Sequence, residues 1–423
     1  MVERRSVIVV CDGLRTDFLK PEWTPNLCRL MSKGCRFAAH KSVFPSTTRT
    51  TSASIATGCY PAGHGLQGNT IALDEGNGLV PLSAGAPDFR DRLRSATGKT
   101  LNVPTLAERL EKHGESIVFS NVSPGAAYFQ DPDGFGYVYH RSGSFGPGLI
   151  PINSDDALTV THDAEGDFLM TTRFIEEVLK ERKPALSVLW QCEPDHSQHG
   201  SALGSPKHLE AIAAADANVG RVANAISALD CNDDEVLLLI CSDHGHETIG
   251  NIIDLEGALI EAGFKASRNS RECVVASQGL SAFIYLSKEA MSELQGILEW
   301  LSSVKGVGEI YTGDELIHLG QSKDGPLAIA IDGAKLDTIN EYGVVGESDA
   351  FLDRFSTKTI PGVGQHGGLG PNEQNPFLIA IGGGVKPSSV HMQPTAAVDL
   401  APTVLRHLEQ SFHGMDGVPL PFR

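Results

Sequence analysis

The sequence predicts an α/β protein, with a mostly parallel sheet between helices and a small α+β cap. Two observations carry this. Short β-branched apolar runs alternate with segments of helical periodicity, as in sheets whose strands are buried on both faces by crossover helices. The 423 residues are 41% hydrophobic and 20% charged, enough for one large core with insertions and unlike a disordered chain.

The elements follow in order. SVIVVCDG reads as a first buried strand, and TPNLCRLMSKG as a helix with Thr24 as N-cap and Gly34 as stop. ESIVFSNVS, ALSVLWQCEPD, EVLLLICSDHG and NPFLIAIGGG read as further strands of the same kind. Helices are expected over VPTLAERLEKHG, FLMTTRFIEEVLKERK and HLEAIAAADANVGRVANAISALD. Two stretches break the rhythm. Residues 70–150 are rich in Gly, Ser and Pro and read as active-site loops. Residues 265–355 carry a strand-like GLSAFIYL and the helix EAMSELQGILEWLSSV, and read as a cap inserted into a core formed by 1–264 and 356–423.

Charge and cysteine usage narrow the function. With 34 Lys+Arg against 52 Asp+Glu the net charge is −18, which argues against a nucleic acid polymer as partner because no basic run can neutralise its phosphates. A small anionic substrate stays compatible, since a bound metal reverses the local field. The eight cysteines are scattered without a CxxC pair, several inside apolar runs, and predict free thiols in a reducing compartment. The N-terminal apolar run ends after five residues at Asp12, too short for a secretory segment, and no stretch approaches a membrane span. A cytoplasmic protein without membrane contact, a monomer or homodimer, is expected.

The predicted strands end in carboxylates. Asp12 closes the first, Asp195 follows LSVLWQCEP, and Asp243 and His244 follow VLLLICS. In open parallel sheets ligands bind beyond the carboxyl ends of the strands, so these acids share one rim. Each Asp alone equally suits a helix N-cap. The histidines change the reading. Asp195 and His199 are four apart, on one face of a helical turn, and His366 lies in GVGQHGGLG just before a strand. Carboxylate and neutral imidazole together suit Zn²⁺ or a similar divalent ion, and the six residues divide into two three-ligand sites, each with an open position. VFPSTTRTTSASIATGCYPAGHGLQGN supplies a nucleophile or a plain cap at a Ser/Thr-rich helix start, Thr47–Thr48, where free N–H groups favour a phosphate or alkoxide.

These motifs, from SVIVVCDG through TGCYPAGHGLQGN, EPDHSQHG, SDHGH and GQHGG to GVPLP, resemble the alkaline phosphatase superfamily in its type I phosphodiesterase/nucleotide pyrophosphatase branch. The resemblance implies an alkaline-phosphatase-like core and two divalent metal ions, zinc with manganese as the substitute. One would be held by Asp195, His199 and His366, the other by Asp12, Asp243 and His244. It places the nucleophile on Thr48, counting back from the TG of IATG, and a phosphoryl-oxygen ligand on Asn69. The implied reaction is a double displacement of a small phosphoester: Thr48 attacks phosphorus in line, and water then cleaves the phosphothreonine.

The residue after the nucleophile departs from nucleotide-hydrolysing relatives, which carry an aromatic there. Arg49 can instead grip a carboxylate or a second phosphate. Phosphonoacetate hydrolases share PSxT, but the lysines that hold their substrate are missing from FSNVSPGAAYFQ. C–P bond hydrolysis and an inactive metal-binding member of the fold are the alternatives. Sulfatases are disfavoured because no CxPxR motif surrounds Thr48, and phosphoglycerate mutases because they use serine. His64 reads as structural. His196 and His246 flank the ligand motifs as candidates to support a ligand or face substrate. Tyr128 and Phe129 read as leaving-group contacts or as packing.

Overall fold

The computed structural model describes residues 4–232, 234–356 and 359–422, so the first three residues of the charged start lie outside the described residues. Its centre is a ten-stranded sheet in the order Ser389–His391, Cys35–Phe37, Leu378–Gly382, Val236–Cys241, Arg5–Cys11, Leu186–Gln191, Ser116–Ser120, Tyr137–His140, Phe145–Gly146, Ile150–Pro151. The middle strands, from Val236–Cys241 to Tyr137–His140, are parallel. Their registers bring the carboxyl ends level: Cys11 lies opposite Gln191, and Val10 opposite both Trp190 and Cys241. Asp12, Cys192 and Ser242 therefore leave the sheet along a single rim.

Strand alternation feeds two cores. Val7, Val9, Ile117 and Phe119 face one layer, into which helices Pro25–Lys33, Ala164–Arg173 and Pro206–Ser227 insert Leu27, Met170 and Ile212. Ile8, Val10, Val118 and Val188 face the other, where Ile55 of helix Thr48–Thr57 and Val404 of helix Leu400–His407 pack. Each fully buried Val or Ile adds roughly 1.5–3 kcal/mol of transfer free energy.

One strand differs from the expected pattern. Leu378–Gly382 runs antiparallel to Val236–Cys241. The chain reaches it from the loop that carries His366, at the carboxyl rim, so the strand has to run down from that rim. Thr24 does precede helix Pro25–Lys33, and Gly34 does end it, but the Thr24 hydroxyl donates to Lys20 O at 3.1 Å. The helix amides of Asn26 and Leu27 donate instead to Asp216, at 3.0 and 2.7 Å. A buried carboxylate from helix Pro206–Ser227, distant in sequence, takes over the capping.

Two further four-stranded sheets flank this body. Lys335–Ile339, Val345–Phe351, Glu247–Ile253 and Gly364–Gln365 form one, and the antiparallel Cys273–Ser277, Ser281–Leu286, Leu327–Gly333 and Val307–Thr312 form the other. The antiparallel sheet is buried on both faces. Val275, Ile284 and Ile331 pack under helices Leu255–Glu261 and Leu294–Leu301, while Val274, Phe283 and Tyr285 pack against Phe44, Ala72 and Leu79. Its Gln278–Leu280 turn is thereby fixed over the rim of the central sheet: Leu280 N donates to His366 O at 2.9 Å, and Asn69 N donates to Gln278 Oε1 at 2.7 Å.

Candidate active site

Above the rim lies a pocket of about 310 Å³ whose lining includes Asp12, Thr48, Arg49, Asn69, Asp195, His199 and His366. Asp243 and His244 sit fully buried at its base. All the residues singled out in the sequence for ligation and phosphoryl chemistry meet here.

The inner cluster is Asp12, Asp243 and His244, whose donor atoms lie within 4.8 Å of one another. Each carboxylate is fixed through one oxygen and left bare at the other. Trp190 Nε1 donates to Asp12 Oδ2 at 2.8 Å, and Gly13 N donates to Asp243 Oδ1 at 3.1 Å. Asp12 Oδ1 and Asp243 Oδ2 are buried without a hydrogen-bond partner among the described residues. They stand 3.5 and 3.2 Å from His244 Nε2. His244 Nδ1 donates to Gly245 O at 3.0 Å, so Nε2 is the lone-pair nitrogen. Thr48 completes the vertex, its hydroxyl donating to His244 Nε2 at 3.1 Å.

Thr48 opens helix Thr48–Thr57, with Thr47 as N-cap residue. Neither hydroxyl caps the helix. Thr47 Oγ1 donates to Thr50 Oγ1 at 2.9 Å, which leaves Thr48 as the hydroxyl facing the carboxylates. Asn69 Oδ1 accepts from Arg49 N at 3.3 Å, so both residues stand beside Thr48.

The outer cluster centres on Asp195 Oδ1. His199 Nε2 lies 3.3 Å from it across one helical turn, and His366 Nε2 lies 3.6 Å from it. His366 Nδ1 donates to Ser46 O at 2.8 Å and so turns its lone pair inward. His246, a flanking candidate in the sequence, is nearer still: its Nε2 lies 2.8 Å from Asp195 Oδ1. Asp195, His244, His246 and His366 bring their donor atoms within 4.8 Å of one another, whereas His199, expected from the sequence as a ligand, lies outside this grouping and approaches Asp195 alone among the site's carboxylates, at 3.3 Å. The SDHGH spacing carried this signal, because residues two apart in extended chain share a side.

The electrostatics call for cations. Burial, then Asp243 and Asp195, push the Asp12 carboxyl well above its usual range. Burial raises Asp243 as well, against the pull of His244. Burial works against ionised Asp195 too, but His199 and His246 outweigh it and hold that carboxyl well below its usual range. Burial drives His366 down and keeps it neutral. Bare, buried carboxylate oxygens beside neutral imidazoles form a hard-to-borderline donor set that fits divalent metal ions.

Arg49 forms the side wall. Its Nε donates to Ser123 Oγ at 3.2 Å, and its Nη1 to Asn69 O and Ser83 Oγ at 3.1 and 3.3 Å. Burial lowers it to about 10, so it stays cationic, with Asp353 opposing that shift. Ser83, Ser123, Gln278 and Asp353 were not singled out in the sequence, where isolated Ser, Gln and Asp in loops carry no pattern. Tyr128 and Phe129 lie outside the pocket lining: Tyr128 Oη donates to Gly143 O at 3.1 Å, and Phe129 packs on Phe89. His64 is buried between Ser54 Oγ and the Leu66 amide, a structural role. His196 lines the pocket with its ring 4.3 Å from that of His162.

Comparison with known proteins decides the family. The family model described as type I phosphodiesterase/nucleotide pyrophosphatase matches residues 6–301. The chain belongs to the type I phosphodiesterase/nucleotide pyrophosphatase family. Members of this phosphodiesterase family act on small phosphoesters and use divalent metals, in keeping with the two Asp/His clusters. Among solved structures the chain is similar to murine ectonucleotide pyrophosphatase/phosphodiesterase 5, with 18% identity, a TM-score of 0.71, and 98% and 97% of the two chains covered. An inactive threonine-to-alanine form of that murine protein, in complex with AMP, gives 17% identity and the same TM-score of 0.71, again covering 98% and 97%. The human protein gives 17% and 0.69 with equal coverage. These likenesses show the alkaline-phosphatase-like fold. No curated protein sequence matches the chain. Among the described residues no helix is long and apolar enough to cross a membrane.

Proposed function

We propose that this phosphodiesterase-family chain hydrolyses phosphodiester or pyrophosphate bonds through a phosphothreonine intermediate on Thr48, with two divalent metal ions. The observation that carries the reading is the vertex at which the Thr48 hydroxyl, His244 Nε2 and the bare oxygens of Asp12 and Asp243 converge. The inactive threonine-to-alanine form of the murine relative supports a threonine in this role. Asp12, Asp243 and His244 would hold one ion, and Asp195, His199 and His366 the other, zinc or manganese by the donor set. When bound, the ions supply charge neutralisation for the attacking and leaving oxygens.

The chain's own groups do the rest. Thr48 Oγ forms the bond to phosphorus as the ester oxygen leaves on the opposite side. Water then forms the new P–O bond as the Thr48 Oγ–P bond breaks. Asn69, whose Oδ1 accepts from the Arg49 amide, can donate from Nδ2 to a phosphoryl oxygen, and Asp195, His199 and His366 would face the side on which water enters. The Arg49 guanidinium, held by neutral oxygens, favours a substrate with a second anionic group. The same observation supports a second reading, hydrolysis of a carboxylate-bearing phosphonate such as phosphonoacetate. The eight free cysteines fit a reducing, cytoplasmic setting.

The test is steady-state hydrolysis by zinc-loaded protein of bis-p-nitrophenyl phosphate, p-nitrophenyl phosphate, a p-nitrophenyl nucleotide diester and phosphonoacetate, with a chelator control. Diester turnover about tenfold or more above monoester turnover, and abolished by chelator, is expected. Acetate release with inert diesters would establish the phosphonate reading. Arg49→Ala is expected to raise KM about 10-fold or more for substrates with a second anionic group and to change KM little for neutral-tailed diesters.

A further inference from the structure

Four imidazoles gather at Asp195, and they are not equivalent: His246, His199 and His366 place Nε2 at 2.8, 3.3 and 3.6 Å from Oδ1, and His244 shares the grouping with His246 and His366. His366 donates its Nδ1 proton to Ser46 O, and His244 donates its own to Gly245 O; each therefore turns a bare Nε2 toward the carboxylates, the arrangement of a metal ligand. His246 has the opposite arrangement. Its Nδ1 is buried with no hydrogen-bond partner among the described residues, while its Nε2 lies 2.8 Å from Asp195 Oδ1. An ionised carboxylate can only accept, so the proton sits on Nε2 and Nδ1 is the bare nitrogen.

The surroundings hold His246 in this place. Arg15, itself buried, donates from Nη1 to His246 O at 3.1 Å and from Nη2 to Asn372 Oδ1 at 3.1 Å, fixing the backbone. Gly13 leaves room for the ring: a Cβ there would stand 2.8 Å from His246 Nε2 and 3.0 Å from Asp195 Cβ, at a φ of +67°. On the other side Gly364 is close enough that its Cβ would lie 3.0 Å from His246 Nδ1. The imidazole sits between two glycines, and its one hydrogen bond among the described residues is to Asp195.

We propose that His246 is a positioning residue that acts through Asp195: its Nε2–H fixes the rotamer of the carboxylate and occupies one lone pair of Oδ1, aiming the rest of the carboxylate at the outer metal. Usually a carboxylate orients a ligating histidine; here a histidine orients a ligating carboxylate. The inference rests on the two-metal reading of the site and adds a residue outside the six expected ligands. The rival is direct ligation by His246 Nε2, which the 4.8 Å grouping with His244 and His366 would allow.

The test uses the full chain as wild type, His246→Met and His246→Gln, titrated with Zn²⁺ and Co²⁺ in competition with a chromophoric chelator. Wild type is expected to bind two equivalents. His246→Met, which has no donor, is expected to lose about 10- to 100-fold in affinity for one equivalent only. Its cobalt absorption at saturation is expected to match wild type, because no ligand has been removed. His246→Gln, which keeps an N–H donor, is expected to return within about threefold of wild-type affinity. Unchanged binding by His246→Met overturns the proposal, as does a cobalt spectrum that loses a nitrogen donor. Metal-free melting curves of the three proteins are expected to agree within a few degrees. If His246→Met does not fold, the glutamine variant decides: wild-type affinity and spectrum support positioning, and a lost nitrogen donor overturns it. Wild type that binds no divalent metal would overturn the two-metal reading itself.

Discussion

Thr47 and Thr48 are adjacent hydroxyls at one helix start, and their surroundings separate them. Thr47 is fully buried and spends its proton on Thr50, whereas Thr48 faces His244. Thr48→Ala is expected to lower kcat by on the order of 10³-fold or more while both metal equivalents still bind, read by steady-state kinetics and metal analysis. Thr47→Ala is expected to cost about 1 kcal/mol of stability and to keep turnover within about tenfold. At this scale much was legible, because the chemistry is written in residue type: carboxylates after apolar runs, a His four residues after Asp195, a Thr a fixed distance before a TG. His246 was harder. Its role depends on which nitrogen carries the proton, and that is set by Asp195 and by the tight packing at Gly13 and Gly364, none of which its sequence neighbours display.

Strand and helix existence followed from periodicity, and SVIVVCDG, ALSVLWQCEPD and EVLLLICSDHG all lie in the central sheet. Direction was less legible. Leu378–Gly382 has the same apolar pattern as the parallel strands, and only its entry from the rim makes it antiparallel. Capping was local in expectation and distant in fact. Asp216 sits in helix Pro206–Ser227 and accepts from the first turn of helix Pro25–Lys33, a pairing that sequence spacing cannot reveal. Asp216→Ala leaves the Asn26 and Leu27 amides without their acceptor and is expected to lower stability by about 1–3 kcal/mol, measured by urea denaturation. Thr24→Val, whose hydroxyl caps nothing, is expected to cost less.

Across the whole molecule, the rim gathers side chains from separate elements, and the antiparallel sheet closes the pocket through Gln278. Buried acids and buried histidines then pull the pH response in opposite directions. Asp167 is raised to about 6 by burial, against hydrogen bonds from Asn121 and the Cys192 and Glu193 amides. Glu373 is raised to about 7 by burial, against the pull of Lys335. In the folded state both hold protons that the unfolded chain has already released. Their share of the metal-free protein's stability therefore falls as pH rises from about 4 to 7, by at most about 1.4 kcal/mol per unit for each group, while His40, His64 and His208, each lowered to about 3 by burial, contribute stability that rises from about pH 3 to 6.5. Denaturation of wild type and Glu373→Gln at stepped pH isolates the acid's share: wild type is expected to lose stability relative to the variant between about pH 4.5 and 7, with a constant difference above that. Metal loading acts on a different set of acids. Asp12, Asp195 and Asp243 share the base of one pocket, and two divalent ions that bind only the folded state are expected to raise the melting temperature by several degrees, an effect reversed by chelator.

The most direct test of the Thr48 vertex is to quench the zinc-loaded protein with acid during turnover of a p-nitrophenyl nucleotide diester and map its peptides by mass spectrometry. A nucleotidyl adduct confined to Thr48, and missing from Thr48→Ala, is the expected result. Sustained turnover with no adduct on Thr48, or with wild-type rates in Thr48→Ala, would contradict it.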